Sequence, residues 1–226
     1  MSEHDDHTHD HKHDHGHDHD NGHAPHPFQP DIEDGPITEY MVLTRAIGEL
    51  MVEKGVFAAE DLREKLEYMQ SRKPALGARL IARAWTDPAF AARLERDAMA
   101  AAQELDIDVG VVEIRALPDR PGLHNVIVCT LCSCYPVMLL GNSPDWYKSR
   151  EYRSRVVREP RAVLAEFGTE IPAETELRIH DSTAELRYFV IPERPAGTEG
   201  WSEERLADIV TRDCMIGTAL PKPGAA

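Results

Sequence analysis

The stretch Val128-Cys-Thr-Leu-Cys-Ser-Cys-Tyr135 crowds three of the chain's four cysteines into six consecutive positions, with spacing C-x2-C-x-C. The residues just before it, Asn125–Val128, have the β-branched content of a short strand, and Ser149–Val157 and Pro160–Phe167 further on have helical character. The thiols therefore fall on a loop at the end of a strand, where rigid elements hold functional groups in place. The N-terminus is charged and has no apolar signal segment. The longest apolar run, around Val137–Leu140, is far shorter than the roughly 20 residues of a membrane span. The expected setting is the cytoplasm, where disulfides are rare, so clustered cysteines read as metal ligands or redox thiols.

Working outward, Val111–Ala116, Glu176–His180 and Leu186–Ile191 are further short strands, and Ser202 caps a last helix running to about Thr211. Toward the N-terminus the period changes to that of helices. Tyr40, Leu43, Ile47, Leu50 and Met51 share one stripe that Gly55 ends, and Leu62, Leu66 and Met69 form a second. A third helical piece follows Leu76, and Thr86-Asp87-Pro88 launches a fourth that runs to Leu105. Apolar stripes this thin need another subunit to cover them. The expected class is α+β: an N-terminal extended helical arm followed by a mixed α/β domain with a metal-binding claw loop. The boundaries are a disordered His/Asp-rich tail at 1–30, a helical arm packing on a partner subunit at 31–105, and an α/β metal-binding catalytic domain at 106–226.

The formal charge of −15 excludes nucleic acid as a partner, because phosphate binding draws on an excess of Lys and Arg. The tail holds ten of the twelve histidines, with seven acids against one lysine, and has too few apolar residues to build a core. Neutral imidazoles beside carboxylates suit weak capture of divalent cobalt, nickel or zinc.

The chemistry of the cysteine run follows from its spacing. The sulfur and amide nitrogen of Cys134, the amide of Ser133 and the sulfur of Cys132 close unstrained chelate rings on one ion, and Cys129 adds a third sulfur. An octahedral ion held this way keeps one position open for water or substrate. Zinc prefers four tetrahedral donors and gains nothing from amidate nitrogens, whereas low-spin Co(III) or Fe(III) gains from strong-field donors and acts as a Lewis acid. A zinc site borrowing Cys214 or a histidine, and metal-free redox thiols, stay open as alternatives on spacing alone.

The run resembles the metal-binding motif of the nitrile hydratase α subunit, and the likeness extends over roughly residues 36–220. It continues through P-D-W-Y-K-S (144–149), Y-R-S-R-V-V-R-E-P-R (152–161), V-L-A-E-F-G (163–168), D-S-T-A-E-L-R-Y (181–188), P-E-R-P-A-G-T-E-G-W-S-E (192–203) and T-R-D-C-M-I-G (211–217). The resemblance implies a metal held by Cys129, Cys132, Ser133 and Cys134, with Cys129 as thiolate, Cys132 as sulfinic acid and Cys134 as sulfenic acid. Cys134 and Cys132 are then the catalytic residues of a hydro-lyase that adds water to a nitrile to give an amide. Thr130 matches the cobalt branch of the family, where the iron branch has serine, so one Co(III) per α chain is expected ahead of iron. The family also implies a hetero-oligomer with a β subunit, which supplies two arginines to the oxidised sulfurs, and a cobalt-loading activator protein.

Two positions depart from the family pattern. Val137 stands where relatives place a tryptophan after Tyr135-Pro136, and Gly110 falls where many place a glutamine. Both changes point to a roomier pocket and a bulky heteroaromatic or nucleoside nitrile of the toyocamycin type. The arginines 153, 155, 158 and 161 are expected beside the sulfur oxides or at a subunit contact. Cys214 is expected as a buried free thiol, and His124 and His180 as strand-flanking residues. Two further readings are kept: the cobalt-binding γ subunit of thiocyanate hydrolase, which is also similar, and a non-catalytic zinc-binding interaction module. Tyr135-Pro136 and G-T-E-G-W (197–201) favour the nitrile enzyme.

Overall fold

The computed structural model describes residues 37–132 and 134–224, so the His/Asp-rich tail and Ser133 lie outside the described residues. In chain order the elements are α1 (Glu39–Glu53), α2 (Ala59–Gln70), α3 (Ala75–Thr86), α4 (Pro88–Arg96), α5 (Ala98–Gln103), β1 (Glu113–Pro118), β2 (Leu123–Val128), α6 (Val137–Leu140), α7 (Asp145–Lys148), α8 (Arg150–Arg155), α9 (Pro160–Glu166), β3 (Glu176–Asp181), β4 (Leu186–Ile191), α10 (Glu203–Asp208) and α11 (Arg212–Ile216). The α+β class holds, with helices gathered in the first half and short strands interleaved with helices in the second. No described helix is long and apolar enough to cross a membrane.

Local chemistry sets most of the helix ends. The Thr38 hydroxyl accepts the Met41 N–H at 3.2 Å to start α1, and Gly55, at φ +68°, follows its end. Asp87 accepts from Ala89 and Phe90 at 2.9 and 3.0 Å, with Pro88 at the first helical position of α4. The helix expected to run unbroken to Leu105 stops at Asp97. That carboxylate caps a new helix, α5, by accepting the Ala100 N–H at 2.9 Å. The helix expected from Ser202 to about Thr211 is α10, and a further short helix, α11, follows it, capped by Thr211.

The strands form two parallel pairs. β1 lies beside β4, from Glu113 opposite Leu186 to Pro118 opposite Ile191, and β2 lies beside β3, from Leu123 opposite Glu176 to Val128 opposite Asp181. Parallel partners need a long crossover. The one joining β2 to β3 contains the cysteine loop and α6 to α9. Because the register sets Val128 beside Asp181, the cysteine loop and the segment after β3 leave the sheet at the same edge.

β2 is buried along nearly its whole length, as expected of a parallel strand covered on both faces. Val126, Ile127 and Val128 pack in one core with Phe189 and Val190 of β4 and Met215 of α11. The same core contains Leu80 and Ile81 of α3, Phe90 and Leu94 of α4 and Ala101 of α5. The helical stretch grouped as an arm at 31–105 is thus divided differently in space: α3, α4 and α5 belong to the core, while α1 and α2 bury no residue. The reason is stripe width. Leu80, Ile81 and Ala84 are joined by small residues such as Gly77 and Ala78 into a broad face, whereas α1 leaves Tyr40, Leu43, Ile47 and Leu50 in solvent, Tyr40 at 82 % exposure. Tyr68 of α2 and Arg72, just after it, touch the body, their side chains bonding the Asp108 carboxylate and carbonyl, respectively.

Candidate metal centre

Cys129 follows the last residue of β2 and is fully buried. Leu131 and Cys132 are exposed at the tip of the loop, and Cys134 turns back inside. The three sulfurs converge. Cys129 Sγ lies 3.4 Å from Cys132 Sγ, Cys132 Sγ lies 3.1 Å from Cys134 Sγ, and the Cys132 N–H points at Cys129 Sγ from 3.3 Å. All three lie within 4.8 Å of one another, the one such convergence of potential ligands among the described residues. Three soft donors meeting at a single point, two of them shielded from solvent, fit a thiophilic transition-metal ion.

Scaffold elements fix the loop backbone from several sides. Asp181, at the end of β3, accepts the Thr130 N–H at 2.8 Å and the Thr130 hydroxyl. Arg153 of α8 donates to the carbonyls of Cys129 and Thr130 at 3.0 and 2.8 Å. The Tyr147 hydroxyl of α7 donates to the Cys134 carbonyl at 3.0 Å, and Tyr152 of α8 bonds the Ile127 carbonyl at 2.8 Å. The rings of Tyr135 and Tyr147 meet edge to face at 5.0 Å. Such outer contacts orient metal ligands and tune their donor strength.

Burial pushes the Cys134 thiol up to about 12, and the neighbouring Cys132 adds to the rise, while the Arg187 guanidinium opposes it. The unligated thiol therefore stays protonated at neutral pH, and ligation has to displace its proton. Arg187, on β4, keeps one guanidinium nitrogen buried with no hydrogen-bond partner among the described residues.

Of the arginines expected near the sulfurs, Arg153 reaches the loop. Arg155 is tied to Glu159 and Glu166 at 2.6 and 2.9 Å, Arg158 bonds the Ser154 carbonyl at 3.0 Å, and Arg161 bonds the carbonyls of Ile171 and Pro172. Gly110 adopts φ +76°, and a side chain there would start 3.0 Å from Met138 Cγ, so space at that position is bounded by Met138. Val137 and Met138 are half-buried at the start of α6. Cys214 is buried on α11, 3.2 Å from the Thr211 hydroxyl, and takes no part in the sulfur cluster.

Sequence reasoning passed over Asp181, Tyr147 and Tyr152. All three fall within quoted motifs, and what sets Asp181 apart is the parallel pairing of β2 with β3, which places it beside Val128.

A loop of three converging thiols just after β2 defines a protein with a candidate cysteine metal site. A profile described as "Nitrile hydratase, alpha chain" matches residues 38–219, and the chain belongs to that family. It is 48 % identical over 185 residues to the high-molecular weight cobalt-containing nitrile hydratase subunit alpha of Rhodococcus rhodochrous, covering 80 % of this chain and 91 % of that one. It is 45 % identical over 200 residues to the thiocyanate hydrolase subunit gamma of Thiobacillus thioparus, covering 83 % and 82 %. Among solved structures, a recombinant thiocyanate hydrolase comprising partially-modified cobalt centers superposes with a TM-score of 0.79 at 45 % identity, covering 84 % of this chain and 93 % of that one. A double mutant of the Fe-type nitrile hydratase from Comamonas testosteroni Ni1 gives 0.74 at 39 % identity, covering 84 % and 98 %.

Proposed function

We propose that this chain is the metal-binding α subunit of a cytoplasmic cobalt nitrile hydratase, adding water to R–C≡N to give R–CO–NH2. The observation that carries the proposal is the convergence of Cys129, Cys132 and Cys134 on a loop anchored by Asp181, Arg153 and Tyr147. These three sulfurs, with backbone amides of the Cys132–Cys134 segment, would hold one Co(III). When bound, the ion supplies Lewis acidity toward a nitrile or water. The chain's own part is to fix the thiols, to bury Cys129 and Cys134 away from bulk solvent, and to present Cys132 at the exposed tip. Cys132 as sulfinate and Cys134 as sulfenate would offer acceptor oxygens, the latter as nucleophile toward the nitrile carbon or as base toward water.

Cobalt is favoured over iron by Thr130 and by the cobalt-containing relatives, and the Fe-type structure keeps iron as the second choice. A β subunit would complete the site with cations, and a separate activator protein would deliver the metal. The exposed apolar stripes of α1 and α2 would form the contact with a partner chain. A bulky nitrile is the proposed substrate class, from Val137 and Gly110. The second reading, a thiocyanate hydrolase γ subunit, is favoured by the 45 % identity to that protein.

The test is to co-express the chain with its partner subunits, quantify metal, and weigh the Cys129–Cys134 peptide. The expected outcome is about one cobalt per chain, two added oxygens on Cys132 and one on Cys134, with nitrile hydration exceeding thiocyanate hydrolysis. Stoichiometric zinc on unmodified thiols would overturn the proposal in favour of a binding module, and carbonyl sulfide as the main product would select the second reading.

A further inference from the structure

A buried polar cluster at the opposite end of β2 from the thiols takes no part in holding them. His124 is 4 % exposed, and both of its ring nitrogens face oxygen acceptors. Nδ1 is 3.0 Å from Asp119 Oδ2, and Nε2 is 2.8 Å from the carbonyl oxygen of Gly217, in the turn after α11. A neutral imidazole has one N–H and would aim a lone pair at one of these oxygens. Asp119 Oδ1 accepts the backbone and side-chain N–H groups of Asn125 at 2.7 and 3.0 Å, which leaves Oδ2 to face the ring.

The cluster continues to β3. Asn125 Nδ2 faces two acceptors, Asp119 and the Pro118 carbonyl, which leaves Asn125 Oδ1 to accept from His180 Nε2 at 2.9 Å. On the other side, the turn lies flat against the strand. Gly217 has φ +89°, and a Cβ there would sit 2.1 Å from the Asn125 carbonyl oxygen.

We propose that His124 is a buried imidazolium latch that fastens the C-terminal turn around Gly217 to β2 and releases it when the ring loses its proton. The latched strand is the one that ends at Val128, just before Cys129, so the latch also steadies the base of the cysteine loop. A cavity of about 390 Å³ lined by Asp119, His124, Glu193, Arg194 and Leu220 lets solvent approach the ring.

The charges around the ring are accounted for from each packed element. Before β2 stand Asp119 and Arg120, the latter paired with Glu95. After β4 stand Glu193 and Arg194, the latter bonded to Thr198 and the Trp85 carbonyl. β3 contributes His180 and the mutually paired Glu176 and Arg178, and α11 contributes Arg212 and Asp213, 3.6 Å apart. Burial favours the neutral ring, but Asp119, the Gly217 carbonyl and Glu193 together outweigh it and hold the His124 proton above the ordinary histidine range. A raised folded-state value means stabilisation that is complete below the unfolded histidine's value and is lost as pH rises through the folded one. Release is therefore alkaline.

Hydrogen exchange on the full-length chain in its co-expressed complex tests this, with rates corrected for intrinsic chemistry. Protection of peptides spanning 211–219 should fall by up to about tenfold per pH unit above the transition, while peptides spanning 76–86 hold theirs. In His124→Gln the 211–219 protection should be lower and independent of pH. Wild-type protection at 211–219 that does not change with pH, or a variant with the wild-type slope, overturns the latch. Should the variant not fold, histidine ring resonances of the wild type decide. One imidazole must titrate above the ordinary histidine value and one, His180, below it, because burial and Arg178 lower the latter. A His124 that titrates at or below the ordinary histidine value overturns the proposal. None of these readouts depends on which metal the thiols hold.

Discussion

Asp181 grips Thr130 at two points, the backbone N–H at 2.8 Å and the side-chain hydroxyl. The grip exists because β2 and β3 run in parallel with Val128 opposite Asp181, so the carboxylate closes over the first residues of the cysteine loop. Removing it in Asp181→Ala should lower cobalt retention or turnover by roughly 10–100-fold, the usual scale for losing an outer contact to a metal ligand loop. Asp181→Asn, which keeps one acceptor and gains a donor, should recover part of the loss. Metal content and kcat measured together check this, and an alanine variant that equals the parent in both would remove Asp181 from the argument.

Tyr147→Phe tests the other side of the loop. Its hydroxyl is the donor to the Cys134 carbonyl, and the ring is fully buried. Loss of the bond should cost about 1–3 kcal/mol, since a buried carbonyl is left unpaired. For a chain of this size that corresponds to a Tm lower by a few degrees, roughly 2–4 °C per kcal/mol. Thermal unfolding at equal metal loading measures it.

Pocket size can be probed at Val137 and Met138. Val137→Trp should depress turnover of a bulky heteroaromatic nitrile while sparing acetonitrile, and the difference should be about tenfold to a few hundredfold in kcat/KM, corresponding to roughly 1–3 kcal/mol. Met138 borders the Gly110 position, 3.0 Å from where a Cβ would stand, so Met138→Ala should widen the same region and shift preference the other way. Equal responses to both nitriles in both variants would separate these residues from substrate selection.

The exposed stripe of α1 gives a test of assembly. Leu43 and Ile47 are about half exposed in the single chain, so Leu43→Glu with Ile47→Glu should change its folding stability by less than about 0.5 kcal/mol each. Association with the partner subunit should nevertheless fail. Size-exclusion chromatography of co-expressed material shows which occurs, and an intact complex would mean that the stripe is not the contact.

The tail should matter for supply and not for turnover. Deleting residues 2–30 is expected to lower cobalt loading only when cobalt is scarce, because imidazoles and carboxylates bind divalent metal without the strong field of thiolates. A fully loaded truncated protein that has lost most of its kcat would contradict this division.

Much of the fold was legible because its signals are local. The strand Leu186–Ile191 was read from its own residues with the same ends, and the caps at Asp87 and Ser202 act within one helical turn. Asp97 was the exception. Its neighbours Ala98 to Ala102 favour an unbroken helix, and what ends it is one carboxylate choosing the Ala100 N–H. The division of the helices between the core and the exposed arm was not legible, because a thin and a broad apolar face differ only once a partner surface exists.

By itself, the sequence determined which residues can bind the metal. C-x2-C-x-C is a covalent spacing, and short-range geometry allows Cys129, Cys132 and Cys134 to meet. Only the tertiary structure decided what holds them there. Asp181, Arg153 and Tyr147 lie 51, 24 and 13 residues from their partners, and each reaches the loop through strand register or helix placement that no local pattern encodes. The same holds for His124 and Gly217, 93 residues apart, whose contact exists because the C-terminal turn packs flat on β2. Backbone chemistry is written position by position along the chain, whereas contacts at this range are paid for in loop-closure entropy and form only when the shared core draws their elements together.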